Sequence, residues 1–345
     1  AASQSGEATG LVTALFTSVS ASCVTGLVLV DTATYWSGFG QVVILVLIQL
    51  GGLGFMTIAT LFSRLLRRRM SMRERGVMAE SINTVRVGRI MEITSTIGLG
   101  TLIFELSGAV LLAIRFIPEF GLGKGLWYSV FHSVSAFCNA GFDLLDGFDG
   151  FRHDHLVGGT LIALIVLGGI GFIVWDDIVN LVFRHKSLSV YTKLVLRVTV
   201  VLILSGTTLI AFFEWNNVDT IGGMNTGEKI FQSLFQSVTT RTAGIDLIGN
   251  TALTDSSKLI CMFLMLIGGA SGSTAGGVKV GTLGVIVMAV MCSAAGRSEI
   301  RFSKRRIPSD MVVRAITVLT INLSAGLFGG LLISAREGVP LMTSM

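Results

Sequence analysis

Val130-Phe131-His132-Ser133-Val134-Ser135-Ala136-Phe137-Cys138-Asn139-Ala140-Gly141 is the second of three copies of one pattern. The first copy is Leu15-Phe16-Thr17-Ser18-Val19-Ser20-Ala21-Ser22-Cys23-Val24-Thr25-Gly26. The third, one residue shorter, is Leu234-Phe235-Gln236-Ser237-Val238-Thr239-Thr240-Arg241-Thr242-Ala243-Gly244. Each is a short amphipathic stretch that runs into a turn ending in glycine. A long apolar segment broken by a Gly-Gly pair follows each. The pairs Gly51-Gly52, Gly168-Gly169 and Gly268-Gly269 begin 25, 27 and 24 residues after the turn glycine. Repetition at long period predicts pseudo-symmetry. In a membrane, loops repeated around one axis predict a pore.

The composition places the chain in a membrane. Of its residues 51% are apolar and only 14% charged, and the mean hydropathy is +0.76, which excludes an ordinary soluble domain. Six segments, near 36–66, 91–116, 156–183, 190–213, 258–295 and 311–334, are long enough to cross a bilayer, a task needing roughly 20 residues. Glycine is abundant (42) and proline rare (3); glycine lets membrane helices approach closely.

Charge sets the orientation. Residues 64–92 hold eight Arg against three Glu, 184–197 hold four basic residues and no acid, and 297–314 hold six basic against two acidic. The connections 115–124, 143–155, 214–229 and 246–258 together hold five basic and ten acidic residues. The first group is cytoplasmic and the second external by the positive-inside rule. Topology accounts for the basic runs, with a surface for a cytoplasmic partner or anionic lipid as the second reading. Nucleic acid is not implied. Cys23, Cys138, Cys261 and Cys292 are scattered, and His132, His153, His155 and His185 form no zinc spacing. No secretory signal is visible.

The repeat is expected to be two helices around a re-entrant loop. A helix near 91–116 runs outward, the copy at 124–146 dips in and returns as extended backbone, and a helix at 156–183 goes back. Irregular backbone at membrane depth is tolerated only where it lines a watery cavity or is buried in protein. The third copy repeats the order with helix 190–213, loop 225–249 and helix 258–295. The first helices share a landmark, Leu106-Ser107-Gly108, Leu204-Ser205-Gly206 and Leu323-Ser324-Ala325-Gly326. The expected fold is therefore an all-α polytopic membrane protein with four pseudo-symmetric helix–pore loop–helix units around one pore. Unit 1 occupies 1–70, unit 2 88–185, unit 3 188–298 and unit 4 309–345. The first and fourth are expected to be incomplete here, with the tail Gly338–Met345 starting a fourth pore helix.

Such loops pool backbone carbonyls, and carbonyl rings replace the hydration shell of a monovalent cation. Glycine is required where the chain must turn and a side chain would block the lumen. Helix C-terminal ends aimed at the centre favour cations. Asp31, Asp143, Asp146 and Asp246 lie just outside the glycines and either concentrate cations or cap loops.

Val24-Thr25-Gly26-Leu27, Asn139-Ala140-Gly141-Phe142 and Thr242-Ala243-Gly244-Ile245 resemble the first three filter motifs of the Trk/Ktr/HKT superfamily of potassium transporters. Ser22-Cys23-Val24-Thr25-Gly26-Leu27 is most similar to the KtrB-like membrane subunit. The resemblance covers essentially the whole chain. It implies that Val24, Thr25, Gly26, Asn139, Ala140, Gly141, Thr242, Ala243 and Gly244 form a selectivity filter for K+. It also implies a homodimer in the bacterial cell membrane, filter outward, with Na+-stimulated uptake. A cytoplasmic ring of RCK subunits (KtrA-like) would bind nucleotide, and this chain would hold no covalent cofactor. A Trk-type subunit is the alternative within the superfamily, and a coupled cation symporter the alternative outside it. No paired carboxylates, HExxH or Ser/His arrangement in the apolar segments points to an enzyme.

Gly268-Gly269-Ala270-Ser271-Gly272-Ser273-Thr274-Ala275-Gly276-Gly277-Val278-Lys279 interrupts the third unit's second helix. Five glycines within it oppose a continuous helix. The spacing is not that of a Walker phosphate loop. A loop lying under the filter would block ions until displaced, and in the family the resemblance gives this segment the role of an intramembrane gating loop. Intramembrane charges are costly and usually functional. Arg241 is expected to brace the filter through carbonyls or an acidic partner, Lys279 to anchor the loop, and Glu105 to pair with Arg241 or Lys279. Asp176 and Asp177 are expected to be solvated.

Overall fold

The computed structural model of the chain describes residues 2–54, 90–145, 147–297, 299–302 and 305–340. The body of the arginine-rich run at 64–92, the far half of the segment at 36–66, Asp146 and the tail 341–345 lie outside the described residues.

Helices follow one another along the chain: α1 (Leu11–Cys23), α2 (Thr32–Tyr35), α3 (Gly38–Leu53), α4 (Ile90–Phe120), α5 (Leu122–Cys138), α6 (His155–Gly169), α7 (Phe172–Arg184), α8 (Val190–Glu214), α9 (Thr226–Thr239), α10 (Asp255–Leu266), α11 (Val280–Ala294) and α12 (Ser309–Glu337). A two-residue hairpin, β1 (Arg301–Phe302) with β2 (Arg305–Arg306), interrupts this helical order. Local chemistry starts many of the helices. The side chains of Ser37, Asp154, Ser189 and Thr254 accept N–H groups at the starts of α3, α6, α8 and α10. Asn225 and Glu228 form a reciprocal capping box at α9.

Residues Ile97–Phe120 of α4, all of α8 and all of α12 are long and apolar enough to cross a membrane. The segment expected as one span at 156–183 is instead two helices, α6 and α7, bent by 98°. The chain turns at Gly171, whose φ is +91°. The span expected at 258–295 is divided into α10 and α11, as the glycine-rich interruption required. The exposed apolar side chains of α4, α8 and α12, such as Ile103, Val201 and Phe328, suit a lipid surround.

The chain falls into two compact units. The first comprises Ala1–Asp176, Thr242–Ile248 and Ser271–Ala275; the second comprises Asp177–Arg241, Gly249–Ala270 and Gly276–Met345. In the first, α5 packs against α4, α6 and α3, and α1 packs against α3. Phe116, Phe131, Phe137, Phe142 and Phe148 are fully buried there. In the second, α8 is the hub for α9, α10 and α11, and α11 carries α12.

Lipid is as apolar as a leucine side chain, so membrane helices associate through close packing and hydrogen bonds. One joint of this kind occurs in each unit. Ser133 Oγ donates to the Glu105 carbonyl at 2.6 Å, and a Cβ added at Gly108 would meet Ser133 Oγ and the Leu164 methyls. Ser237 Oγ donates to the Ile203 carbonyl at 3.0 Å, and a Cβ at Gly206 would meet Ser237 Oγ and a Leu264 methyl. Glycine, serine and leucine occupy matching positions of the second and third sequence copies. At Gly108 and Gly206 the Leu-Ser-Gly landmark thus marks where α5 and α9 lean on the helices before them, α4 and α8.

Candidate ion-conduction site

The turns Val24-Thr25-Gly26, Asn139-Ala140-Gly141 and Thr242-Ala243-Gly244 come together in the first unit. Gly26, Gly141 and Gly244 have φ of +73°, +71° and +71°. A Cβ on Gly26 would stand 2.7 Å from the Ala140 carbonyl oxygen and 3.0 Å from Gly141 Cα. One on Gly141 would stand 3.0 Å from the Ala243 carbonyl oxygen and 3.3 Å from Gly26 Cα. One on Gly244 would stand 3.4 Å from Gly141 Cα. The middle turn therefore touches both others, backbone against backbone, and both positive φ and lack of room call for glycine.

Two residues before each glycine the backbone is left-handed. Val24, Asn139 and Thr242 have φ of +56°, +56° and +70°, and they are three of four such non-glycine residues among those described. Asn tolerates this region; for the β-branched Val24 and Thr242 it is a strained state, of the kind held only where surroundings over-determine it. The first two turns are built alike. Val24 N–H donates to Ala21 O (3.3 Å) and Thr25 N–H to Ser20 O (3.0 Å); Asn139 N–H donates to Ala136 O (3.2 Å) and Ala140 N–H to Ser135 O (2.8 Å). The third helix ends earlier, at Thr239, and reaches its turn through Thr240 and Arg241.

The Gly-Gly pairs now have a physical reason. A Cβ on Gly51 would collide with the Ser22 carbonyl, and one on Gly168 with the Phe137 carbonyl. Ser22 and Phe137 are equivalent positions at the ends of α1 and α5. In the first two copies the second helix thus crosses directly against the end of the helix that precedes the glycine turn, whereas in the third a Cβ on Gly268 would meet the Gly276 carbonyl of its own loop.

The tip of the interrupting loop lies in this unit too. Thr274 Oγ1 donates to Phe137 O at 2.9 Å and accepts from Asn139 Nδ2 at 2.8 Å. Thr274 N–H donates to Gly168 O (3.2 Å) and Phe172 N–H to Gly272 O (2.7 Å). Glu105, buried on α4, accepts from Gln49 Nε2 at 3.1 Å, so its carboxylate has a neutral amide partner where an ionic one was expected.

His132 supports the second turn in a way the sequence did not signal. Its Nδ1 lies 2.7 Å from Tyr128 O, and its Nε2 accepts the Leu144 N–H at 3.1 Å. With Nε2 accepting, Nδ1 carries the proton and the ring is neutral. Phe116, Tyr128, Phe131 and Phe148 surround it.

Of the acids outside the glycines, Asp31 accepts from Ala33 N–H (3.3 Å) and Thr34 N–H (2.9 Å). Partial burial would raise its carboxyl, but the bonds from Thr34, Ala33 and Thr32 outweigh this and hold it below the usual value. Asp246 accepts from Ile248 N–H at 3.1 Å. Both therefore act as loop caps.

In the second unit, Arg241 Nη2 donates to the Gly268 carbonyl at 3.2 Å, and the side chain is buried. Of the two partners expected for Arg241 the structure shows the carbonyl. The base of the loop is closed by Gly268 N–H to Val278 O (3.1 Å), Val278 N–H to Leu266 O (2.9 Å) and Val280 N–H to Gly269 O (2.9 Å). Lys279 occupies the N-cap position of α11. Asp177, expected to be solvated, accepts from Thr192 Oγ1 and the Ser189 N–H at the start of α8. Glu214, which carried no assigned role, is fully buried. It accepts from Thr220 Oγ1 (2.6 Å), Asn217 Nδ2 (2.7 Å) and the N–H and hydroxyl of Thr254 (2.9 and 2.6 Å).

Residues 2–337 match the family model described as TrkH, cation transport protein. The chain is 39% identical over 339 residues to the potassium/sodium uptake protein NtpJ of Enterococcus hirae, covering 98% of this chain and 75% of that protein. It is 36% identical over 330 residues to the Ktr system potassium uptake protein B of Bacillus subtilis, covering 95% and 74%. The crystal structure of the potassium transporter TrkH from Vibrio parahaemolyticus has the same fold, with a TM-score of 0.75 at 17% identity over 97% of this chain and 68% of that one.

Proposed function

Because this chain belongs to the TrkH family of cation transport proteins, we propose that it is a potassium-uptake membrane subunit of Ktr type. The family is one of transport, not catalysis. The observation that carries the reading is the convergence of three glycine turns, each with a left-handed residue two positions earlier. Dehydrated K+ would be held by carbonyls of Val24-Thr25-Gly26, Asn139-Ala140-Gly141 and Thr242-Ala243-Gly244 on the external side of the plasma membrane. The segment 268–279 would act as the gate: hydrogen-bonded at its base and tip, it blocks the path until it moves. Na+ would stimulate uptake. The assembly would be a homodimer in lipid with a cytoplasmic RCK ring that carries nucleotide.

The test is rescue of cells lacking potassium uptake by the full-length protein, with and without the RCK partner. Rescue that needs the partner and is lost in Gly141→Ser, with protein still in the membrane, supports the reading. Rescue unaffected by Gly141→Ser overturns the filter. Deleting part of 268–277 is expected to raise flux; unchanged or lower flux in folded protein overturns the gate. The relative named for potassium and sodium uptake favours one second reading, a coupled K+/Na+ symporter. A fixed ion stoichiometry in reversal-potential measurements would establish it.

A further inference from the structure

Thr274 and Asn139 are 135 positions apart in sequence, one at the tip of the interrupting loop and the other at the left-handed position of the second turn. One hydroxyl serves both. Thr274 Oγ1 gives its hydrogen to Phe137 O, the carbonyl next to the end of α5, and its lone pair receives Asn139 Nδ2. Both side chains are buried, 7% and 1% exposed. The amide oxygen of Asn139 has no partner among the described residues, so the bond to Thr274 is the side-chain hydrogen bond that orients it. If the loop tip leaves, that amide loses its acceptor in a buried place and a carbonyl at the end of α5 loses its donor. Each orphaned group is left desolvated without a partner, which is unfavourable unless water or an ion replaces it. A rearrangement of the second turn would relieve that cost.

We propose that the Thr274–Asn139 hydrogen bond couples the loop to the second turn, making Asn139 a positioning residue whose effect on ion discrimination depends on whether the loop is seated. This rests on the filter and gate reading above. It adds that gate and filter are not independent: displacing the loop changes which ions pass as well as how many.

The experiment measures K+ and Na+ flux through the full-length protein with its RCK partner in proteoliposomes. Thr274→Val keeps the side-chain shape and removes the hydroxyl. Asn139→Gly keeps the left-handed backbone accessible and removes the amide, and Asn139→Asp keeps the shape but cannot donate. Each is expected to lower the K+/Na+ flux ratio about tenfold, equivalent to about 1.4 kcal/mol. The double variant Thr274→Val/Asn139→Gly is expected to lose no more than the worse single, the signature of one shared interaction. Thr274→Ser retains the hydroxyl and restores the wild-type ratio. Losses that add in the double variant overturn the coupling. So does a Thr274→Val protein with raised flux and an unchanged ratio, which would leave the gate reading standing. If Thr274→Val fails to fold, the Asn139 pair decides: an unchanged ratio in both variants overturns the proposal. A filter that is wrong altogether shows itself separately, as a Gly141→Ser protein with wild-type discrimination.

Discussion

The Arg241 guanidinium donates to the Gly268 carbonyl, binding the residue just before the third glycine turn to the first residue of the helix break. A hydrogen bond from a charged donor is worth roughly 1.5–3 kcal/mol, and burying the charge offsets part of that. Arg241→Met is therefore expected to lower stability by only about 1 kcal/mol while loosening the base of the loop. Thermal unfolding in detergent checks the first part, and K+ flux, expected to rise, checks the second. Flux identical to wild type would remove Arg241 from the support of the loop.

The three glycines are not equally crowded. The nearest atoms to an added Cβ lie at 2.7 Å for Gly26, 3.0 Å for Gly141 and 3.4 Å for Gly244. Alanine substitutions are expected to impair K+/Na+ discrimination in that order, each with a backbone cost of about 1–2 kcal/mol from the left-handed φ. Isotope-flux ratios for the three variants test the ranking; Gly244→Ala as the most damaging would contradict the backbone arrangement described here.

Val24 and Thr242 hold a conformation that β-branched residues resist, while the second copy places asparagine there. Val24→Asn is expected to stabilise the protein by about 1 kcal/mol, the strain relieved in the left-handed region. A higher melting temperature is the readout. A lower one would mean that the packing of the Val24 side chain outweighs its strain.

Asp154 caps α6 through Leu156 N–H at 2.9 Å and Val157 N–H at 3.2 Å, and it is paired with Arg115. Partial burial raises its carboxyl, but the Arg115 hydrogen bond, the two N–H groups and the Arg115 charge together hold it below its ordinary value of 3.8. A depressed folded-state value gives stability that is fully present above the unfolded value and is lost as the pH falls through the folded one. Melting temperature should fall on acidification below the usual carboxylate range, and fall less in Asp154→Asn. Asp154→Ala is expected to cost about 1 kcal/mol at neutral pH through loss of the cap. Equal acid sensitivity of wild type and Asp154→Asn would refute the assignment.

His132→Phe preserves the aromatic bulk but strands the Leu144 N–H. The expected loss is about 2 kcal/mol, the cost of an unsatisfied buried donor, seen in thermal unfolding. Loss below a few tenths would mean that another group takes the N–H.

What could be foreseen from the sequence was local or periodic. The three turns, the first two Gly-Gly pairs, the Leu-Ser-Gly landmark at Gly108 and Gly206 and the break before Lys279 all follow from residue spacing, and they correspond to observed turns, crossings, joints and an interruption. What could not be foreseen is non-local. The 98° bend between α6 and α7 goes with a hydrogen bond from Phe172 to Gly272, and no pattern within 156–183 announces a partner a hundred positions away. Glu105 and Asp177 looked ionic or solvated because charge is visible in a sequence. Gln49, Ser189 and Thr192, which satisfy them, are chemically unremarkable residues until the chain brings them close. His132 is similar: its two partners are backbone atoms, which no side-chain pattern encodes.

The Ser133–Gly108–Leu164 joint and its counterpart Ser237–Gly206–Leu264 have one further consequence. A joint rebuilt from the same three residue types makes the second and third copies cassettes in which the helix before the glycine turn is fastened to its own leading helix. Such a cassette can diverge beyond the fastening, and the second and third copies are the case in point: both keep it, while the second helix of one bends by 98° and that of the other is interrupted by the glycine-rich loop. For protein engineering this marks a cut site: material exchanged between copies should be spliced on the far side of the serine, leaving the fastening whole.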